Sequence, residues 1–197
     1  MRMATWLIGS FATSVALAAM ADLPNDPTQV QPLSVATWAP AFAAQTVDGK
    51  IRTCSPDSYR RPTVVIFNRG GWCPYRNTQL SDLRTVEPRL RARGFEIVFL
   101  STDQPRLLYS SLMATAIHYM LLSDSHLEAA RAFHVAYHVS DATLAKMREY
   151  GVDLNVGTGT TLHQLPVPSN PDYKVRLGAD ALWAAAEPLF ATWATAP

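Results

Sequence analysis

The residue of this sequence best suited by its surroundings to thiol chemistry is Cys73, which stands in the stretch NRGGWCPYRNTQL, residues 68–80. An apolar run, TVVIF, precedes this stretch, and leucines and valines at helical spacing follow it. A strand, a Gly-Gly loop, a cysteine and a proline predict that Cys73 is the N-cap residue of a helix that Pro74 opens. Backbone N–H groups without partners and the positive end of the helix dipole favour a thiolate there over a thiol.

Charged and small residues around Cys73 indicate the same chemistry. Arg69 and Arg76 flank the sulfur and favour its anionic form. Other neighbours are expected to leave one approach to the sulfur open, to shield the other side and to fix the helix start. These supporting residues are Gly70, Gly71, Trp72 and Pro74. The competing interpretation is a buried, inert cysteine, which is the more usual state of a lone cysteine.

The composition restricts the class of protein. The chain has 197 residues, of which 48% are apolar and 17% charged, and its formal net charge is +1. This is the profile of one globular domain with a sizeable core. It lacks the basic excess that is typical of nucleic-acid binding. The two cysteines, Cys54 and Cys73, permit at most one disulfide and are too few for a disulfide scaffold.

The amino terminus differs from the rest of the chain. After Arg2 no charged residue occurs before Asp22, and the small-x-small pattern AMA lies at this boundary. Residues 1–21 are therefore interpreted as a signal peptide that directs the protein to the periplasm or secretes it. The alternatives are a misplaced start codon or a flexible leader on a cytoplasmic protein, and an uncleaved membrane anchor. Residues 22–38 are rich in proline and lack helical periodicity, which indicates an extended arm or linker before a domain at residues 39–197.

Strand and helix patterns alternate along this domain. The runs TVVIFN and FEIVFLS predict two buried strands, HYMLLSD predicts a third, and Asp48-Gly49 predicts a turn between two shorter strands. Helices are predicted from Pro74 to Gly94, Pro105 to Thr115, His126 to Ala132 and Ala179 to about Thr192. This alternation indicates an α/β fold with a largely parallel central sheet.

Several of these segments together resemble the alkyl hydroperoxide reductase / thiol-specific antioxidant family, a peroxiredoxin-like family of the thioredoxin superfamily. The resemblance spans roughly residues 35–195 and is carried by APAF, TVVIF, NRGGWCPY, FEIVFLSTDQP and LLSDSHLEAARAFHVAY. It implies a thioredoxin-like fold with a central sheet flanked by helices. It also implies an antioxidant oxidoreductase that reduces hydroperoxides or disulfides without a metal or an organic cofactor. Cys73 matches the attacking cysteine, the exposed one of the motif, and Pro168 matches the proline that packs in cis beside it.

The chain departs from the family pattern at the thiol. Many relatives carry a second cysteine where Arg76 stands, so we expect catalysis by a single redox-active cysteine. The sulfenic acid formed on Cys73 then needs an external thiol, or Cys54 as a resolving thiol. No arginine in the chain clearly corresponds to the one that orients peroxide in standard peroxiredoxins.

Two further departures concern the backbone. His134 stands where relatives usually have glycine, and with His138 it is expected to lie at the surface rather than to bind a metal. Between Pro168 and the last helix only residues 169–177 remain, whereas the two strands and turn of the family need roughly twelve residues. The hairpin after the cis-proline position is therefore predicted to be missing. Its loss would expose an apolar strand edge, which a homodimer or the amino-terminal arm would cover.

Two hypotheses about function follow. The first is a peroxiredoxin-like thiol oxidoreductase with Cys73 as the nucleophile, activated by the helix start, Arg69 and Arg76, and with an external thiol as the reductant. The alternative is a non-catalytic or degenerate thioredoxin-fold binding module, which the missing hairpin and the missing second cysteine favour. The reactivity of the Cys73 thiol distinguishes the two.

Overall fold

The computed structural model describes most of the domain and part of the amino-terminal arm. The described residues are 23–58, 61–109, 119–160, 163–166, 172 and 174–194, without the side chains of residues 74–81 and 191–194. The strands are β1 (Phe42–Thr46), β2 (Ile51–Cys54), β3 (Thr63–Asn68), β4 (Glu96–Ser101), β5 (Met120–Ser123), β6 (Ala136–His138) and β7 (Gln164–Pro166). The helices are α1 (Pro74–Ala92), α2 (Glu128–Ala132), α3 (Asp141–Glu149), α4 (Leu154–Thr158) and α5 (Ala179–Ala194). Residues 105–109 are also helical.

A five-stranded sheet forms the centre of the domain, with the strand order β2-β1-β5-β4-β3. β3, β4 and β5 are parallel, whereas β1 runs antiparallel to both β2 and β5. The predicted turn at Asp48-Gly49 joins β1 to β2, and Gly49 adopts the φ of 80° that such a turn requires. The α/β class with a helix-flanked sheet is confirmed. The sheet is mixed rather than largely parallel, because this short hairpin reverses the chain direction.

Helices cover both faces of this sheet. On one face α1 and α5 pack against β4 and β5, in a cluster that includes Leu83, Leu90, Phe99, Leu121 and Leu182. On the other face α2 contributes to a second cluster, which includes Phe42, Leu100, Leu122 and Ala129. Because successive strand residues point to opposite faces, the continuous apolar run of β4 is buried on both sides, as its pattern predicted.

β6 and β7 form a separate antiparallel pair. Together with α3 and α4 they enclose a third cluster, whose buried residues include Tyr137, Leu144, Leu154 and Leu165. Trp72, from the loop that follows β3, packs against this cluster. The smaller sheet and α4 therefore support one side of the loop that leads to Cys73.

β3 lies at an edge of the central sheet and, within the described residues, pairs with β4 alone. Its side chains from Thr63 to Phe67 are half-buried. Pro168 and its neighbours at 167–171 lie outside the described residues, so the missing hairpin and the cis proline stay predictions. The beginning of the described arm does not cover this edge. It packs beside β6 instead, where the His138 N–H donates to the Pro24 carbonyl at 2.9 Å.

In the part of the chain that the structure describes, no helix is both long and apolar enough to cross a membrane. Residues 1–22 lie outside that part. The signal peptide therefore stays a prediction.

Candidate active site

Cys73 occupies the N-cap position of α1, as the sequence predicted. Its φ of −82° and ψ of 114° are extended, and Pro74 is the first helical residue. Residues 69–73, here called the thiol loop, connect the carboxyl end of β3 to this position. The Cys73 N–H closes the loop by donating to the Gly70 carbonyl at 3.2 Å. The sulfur thus stands at the amino terminus of a 19-residue helix, whose first-turn N–H groups and dipole attract an anion.

The side chain of Cys73 is only 1% exposed, so the prediction of an exposed sulfur with an open approach is wrong for this conformation. Gly70 of the same loop lies against two other side chains. Its φ is +126°, and a Cβ at this position would lie 2.4 Å from Nε1 of Trp72 and 3.0 Å from Oδ1 of Asp103. The glycine therefore allows Trp72 and Asp103 to approach the backbone of the thiol loop closely.

Arg176 is the site residue that the sequence reasoning missed. Its Nη2 donates to Sγ of Cys73 at 3.4 Å, although the two residues are 103 positions apart. Nε and Nη1 of Arg176 are buried and have no hydrogen-bond partner among the described residues. A guanidinium in this place stabilises a sulfur anion, and its remaining donors can bind oxygen atoms next to the sulfur. A basic residue ahead of the last helix was a visible signal, but no local pattern relates it to Cys73.

The structure describes the side chain of only one of the two arginines that the sequence predicted near the sulfur, Arg69. Arg69 is buried; its Nη2 donates to the Tyr137 hydroxyl at 3.2 Å, and its Cζ lies 5.4 Å from the centroid of the Trp72 ring. These contacts fasten the thiol loop to β6 and keep a positive charge at this end of the sheet. The side chain of Arg76 lies outside the described residues, so its role at the sulfur stays a prediction.

Cys54 is not brought to Cys73. Both thiols are free and buried, and Cys54 packs in the core cluster at the end of β2. β2 and β3 are the opposite edges of the central sheet. Four strand spacings separate them, roughly 19 Å, whereas a disulfide needs Cα atoms within about 7 Å of each other. The two thiols are unpaired in this conformation, and the sheet order argues against Cys54 as a direct resolving thiol.

His134 and His138 lie in different surroundings. His134 is exposed and lies in the turn after α2 with a φ of 55°, while His138 ends β6 and contacts Gln164. Within the described residues no group of three metal-binding side chains occurs. The φ of 55° is one that glycine adopts without steric cost, which agrees with the glycine that the family resemblance implies at position 134.

A buried carboxylate, Asp124, lies at the carboxyl end of β5. Asp124 accepts hydrogen bonds from the N–H groups of Ala129 and Ala130, both at 2.9 Å, at the start of α2. Burial raises the pKa of Asp124 to about 7, although these two hydrogen bonds act in the opposite direction. Asp124 is thus a structural group that changes its charge near neutral pH.

A cavity of about 440 Å³ opens beside the thiol loop. Its lining includes Trp72, Asp103, Leu107, Val152 and Val156. This volume lies within the range of small-molecule sites. Because Trp72 belongs to both the cavity and the thiol loop, a group bound in the cavity would contact the residue next to Cys73.

A family model described as the AhpC/TSA family matches residues 35–156. No curated protein matches the chain significantly. The chain is similar in structure to several solved proteins, and three of them are compared with it by identity, TM-score and coverage. AhpC of Enterococcus faecalis is 16% identical, with a TM-score of 0.53 over 84% of this chain and 94% of its own. Peroxiredoxin Q of Xanthomonas campestris is 17% identical, with a TM-score of 0.52 over 82% of this chain and 98% of its own.

The third structure is the mitochondrial 1-Cys peroxiredoxin of yeast, which is 13% identical, with a TM-score of 0.55 over 81% of this chain and 78% of its own. At identities this low, structural similarity shows the fold alone. The three structures agree with the thioredoxin-like fold that the sequence predicted, and the match over residues 35–156 covers the thiol loop and α1.

Proposed function

Because this chain belongs to the AhpC/TSA family and is a thiol-dependent peroxidase or oxidoreductase, we propose that Cys73 is its single attacking nucleophile. One observation carries the proposal: Arg176 donates to Sγ of Cys73 at 3.4 Å, and this sulfur stands at the amino terminus of α1. A cation and a helix start both favour the thiolate, which is the reactive form. We include Arg69 and Arg76 in the proposal as nearby positive charges that act in the same direction.

In the proposed reaction the Cys73 thiolate attacks the terminal oxygen of a hydroperoxide. An S–O bond forms, the O–O bond breaks, and the leaving oxygen takes a proton to become an alcohol, or water when the substrate is hydrogen peroxide. The sulfur loses two electrons and becomes a sulfenic acid. The buried Nε and Nη1 donors of Arg176 are suited to the charge that develops on the leaving oxygen.

The sulfenic acid requires a thiol from outside the domain, because Cys54 lies across the sheet. One external thiol condenses with it, which releases water and gives a mixed disulfide. A second thiol then releases the reduced Cys73 and leaves as a disulfide. The yeast 1-Cys peroxiredoxin is described as resolved through glutathione and thioredoxin systems, and we propose reductants of that class here.

The 1% exposure of Cys73 favours a second candidate, a non-catalytic thioredoxin-fold binding module. In that case the thiol stays closed and reacts slowly with any oxidant. In the catalytic case the contact between Arg176 and the sulfur opens often enough for a peroxide to enter. The rate of oxidation in solution separates these two cases.

The test follows peroxide consumption by the full-length reduced chain with glutathione or a thioredoxin system, using hydrogen peroxide and cumene hydroperoxide as probes. We expect turnover, and a gain of one oxygen on Cys73 by mass spectrometry. Cys73→Ser should abolish both signals, and Cys54→Ser should retain both. Oxidation of the folded wild type no faster than that of a free thiol would support the binding module instead.

We also propose that residues 1–21 direct export. The apolar run and the small-x-small pattern before Asp22 support this interpretation. Fractionation of cells that produce the full chain with a carboxyl-terminal tag should yield a shortened protein in the periplasm or medium. Full-length protein confined to the cytoplasm would contradict the proposal.

We propose finally that the β3 edge pairs with a second copy of the chain. Support comes from the half-buried apolar side chains of this strand and from its single described partner, β4. Light scattering over a concentration series should show a dimer at micromolar concentrations. A monomer throughout would contradict the proposal.

A further inference from the structure

Asp103, two residues beyond the carboxyl end of β4, brings a buried carboxylate to the thiol loop. It is 3% exposed, and its Oδ2 accepts a hydrogen bond from the Gly71 N–H at 2.6 Å and another from the Ser101 hydroxyl at 3.0 Å. The Ser123 hydroxyl of β5 donates to the Asp103 carbonyl at 2.7 Å. Asp103 is therefore held by β4 through its carboxylate and by β5 through its backbone carbonyl, and its carboxylate contacts the backbone of the thiol loop.

The residue before it, Thr102, holds the same loop at a second point. Its hydroxyl donates to the Arg69 carbonyl at 2.9 Å. Thr102 and Asp103 thus bind the backbone of residues 69 and 71, on either side of Gly70, whose φ is +126°. A loop conformation of this kind persists only when its surroundings determine it.

We propose that Asp103 is a positioning residue for the thiol: its hydrogen bond to the Gly71 N–H fixes the turn that places Cys73 at the start of α1. This inference rests on the proposed function, in which that placement makes Cys73 reactive. The acceptor oxygen, rather than the negative charge, is the important feature. When the Asp103 carboxylate is removed, the Gly71 N–H loses this acceptor and the turn relaxes. The Cys73 sulfur then moves away from both the helix start and the Arg176 guanidinium.

Three variants separate this role from a general loss of stability. Asp103→Ala removes the acceptor. Asp103→Asn keeps an oxygen that can accept from both the Gly71 N–H and the Ser101 hydroxyl, because both of these bonds go to Oδ2. Asp124→Ala is the matched control, because Asp124 is also a buried carboxylate that accepts backbone N–H bonds at the end of a strand, but it caps α2 instead of the thiol loop.

The measurement is the rate of alkylation of Cys73 by iodoacetamide against pH, in the full chain with a Cys54→Ser background, with the Tm of each variant recorded. We expect Asp103→Ala to slow alkylation at pH 7 by about 10- to 100-fold and to move the midpoint of the rate–pH curve upward. Asp103→Asn should remain within about threefold of the parent, on the expectation that a kept hydrogen bond preserves the geometry. Asp124→Ala should lower the Tm without moving the midpoint.

Several results would overturn the proposal. One is an unchanged alkylation curve in folded Asp103→Ala, and another is an equal loss in Asp103→Asn, which would assign the effect to charge. A shift of the midpoint in Asp124→Ala as large as that in Asp103→Ala would assign the effect to a loss of global stability. If Asp103→Ala does not fold, the comparison of Asp103→Asn with the parent decides. Alkylation needs no peroxide, so a chain that fails to reduce peroxides contradicts the proposed function without contradicting the role of Asp103.

Discussion

The replacement of Gly70 by alanine tests the closed thiol loop most directly. At a φ of +126° an L-amino acid is strained by about 1–3 kcal/mol. The new Cβ would also lie 2.4 Å from Nε1 and 2.7 Å from Cδ1 of Trp72, and overpacking of this kind costs about 1–3 kcal/mol. We therefore expect Gly70→Ala to lower the free energy of unfolding by about 2–6 kcal/mol, because the backbone is strained and Trp72 must move.

Gly157 in α4 provides a matched control, because it faces the same two side chains. A Cβ there would lie 3.9 Å from Cδ1 of Trp72 and 3.8 Å from Oδ1 of Asp103, which is ordinary van der Waals contact. Since alanine is the better helix former, Gly157→Ala should be neutral or stabilise the protein by up to about 1 kcal/mol.

Urea unfolding of both variants gives the two free energies, and alkylation of Cys73 gives the local effect. The reasoning would be refuted if Gly70→Ala unfolded within about 0.5 kcal/mol of the parent, a typical effect of an unconstrained surface change. It would also be refuted if Gly157→Ala were destabilised as much as Gly70→Ala, because contact with Trp72 would then not depend on the backbone conformation.

Three further predictions concern other residues of the site and its supports. His134→Gly should raise the Tm by about 1–4 °C, because glycine adopts the φ of 55° without cost. His134→Ala is the control and should leave the Tm unchanged, and a lower Tm in His134→Gly would contradict the argument. The pKa of Asp124 is about 7 in the folded protein and 3.8 for the free carboxyl group, so the folded state binds more protons between these two pH values. The free energy of unfolding should therefore fall by up to about 4 kcal/mol as the pH rises from 4 to 7. Urea unfolding should show this loss in the parent and not in Asp124→Asn; equal slopes would contradict it. Arg176→Met should slow alkylation of Cys73 at pH 7 by about 10- to 100-fold, the loss expected for a charge-assisted hydrogen bond, with Arg176→Lys intermediate; an unchanged rate would remove Arg176 from the mechanism.

Local features of this protein were predictable because local patterns encode them. The β-branched run before Asn68 predicted β3, and Pro74 after a cysteine predicted the N-cap at Cys73. The Asp48-Gly49 turn and the helix that begins at Ala179 followed from backbone preferences in the same way. Each depends on residues within one or two turns of chain, and a sequence displays those directly.

The family was also predictable from a local pattern, because NRGGWCPY joins a strand end, a turn, a cysteine and a helix start in one short segment. The sequence likewise indicated that His134 occupies a glycine position, and its φ of 55° agrees with this.

The contacts that make or prevent chemistry at Cys73 were decided by the tertiary structure. Arg176 reaches the sulfur from 103 positions away, and Asp103 reaches the thiol loop from 32 positions away. The order of the strands places Cys54 at the far edge of the sheet, which no spacing between cysteines reveals. The burial of Cys73 is likewise a property of the folded chain that its local sequence does not display. Periodicity specifies which face of an element is buried, but which distant element covers it depends on the arrangement of the whole chain.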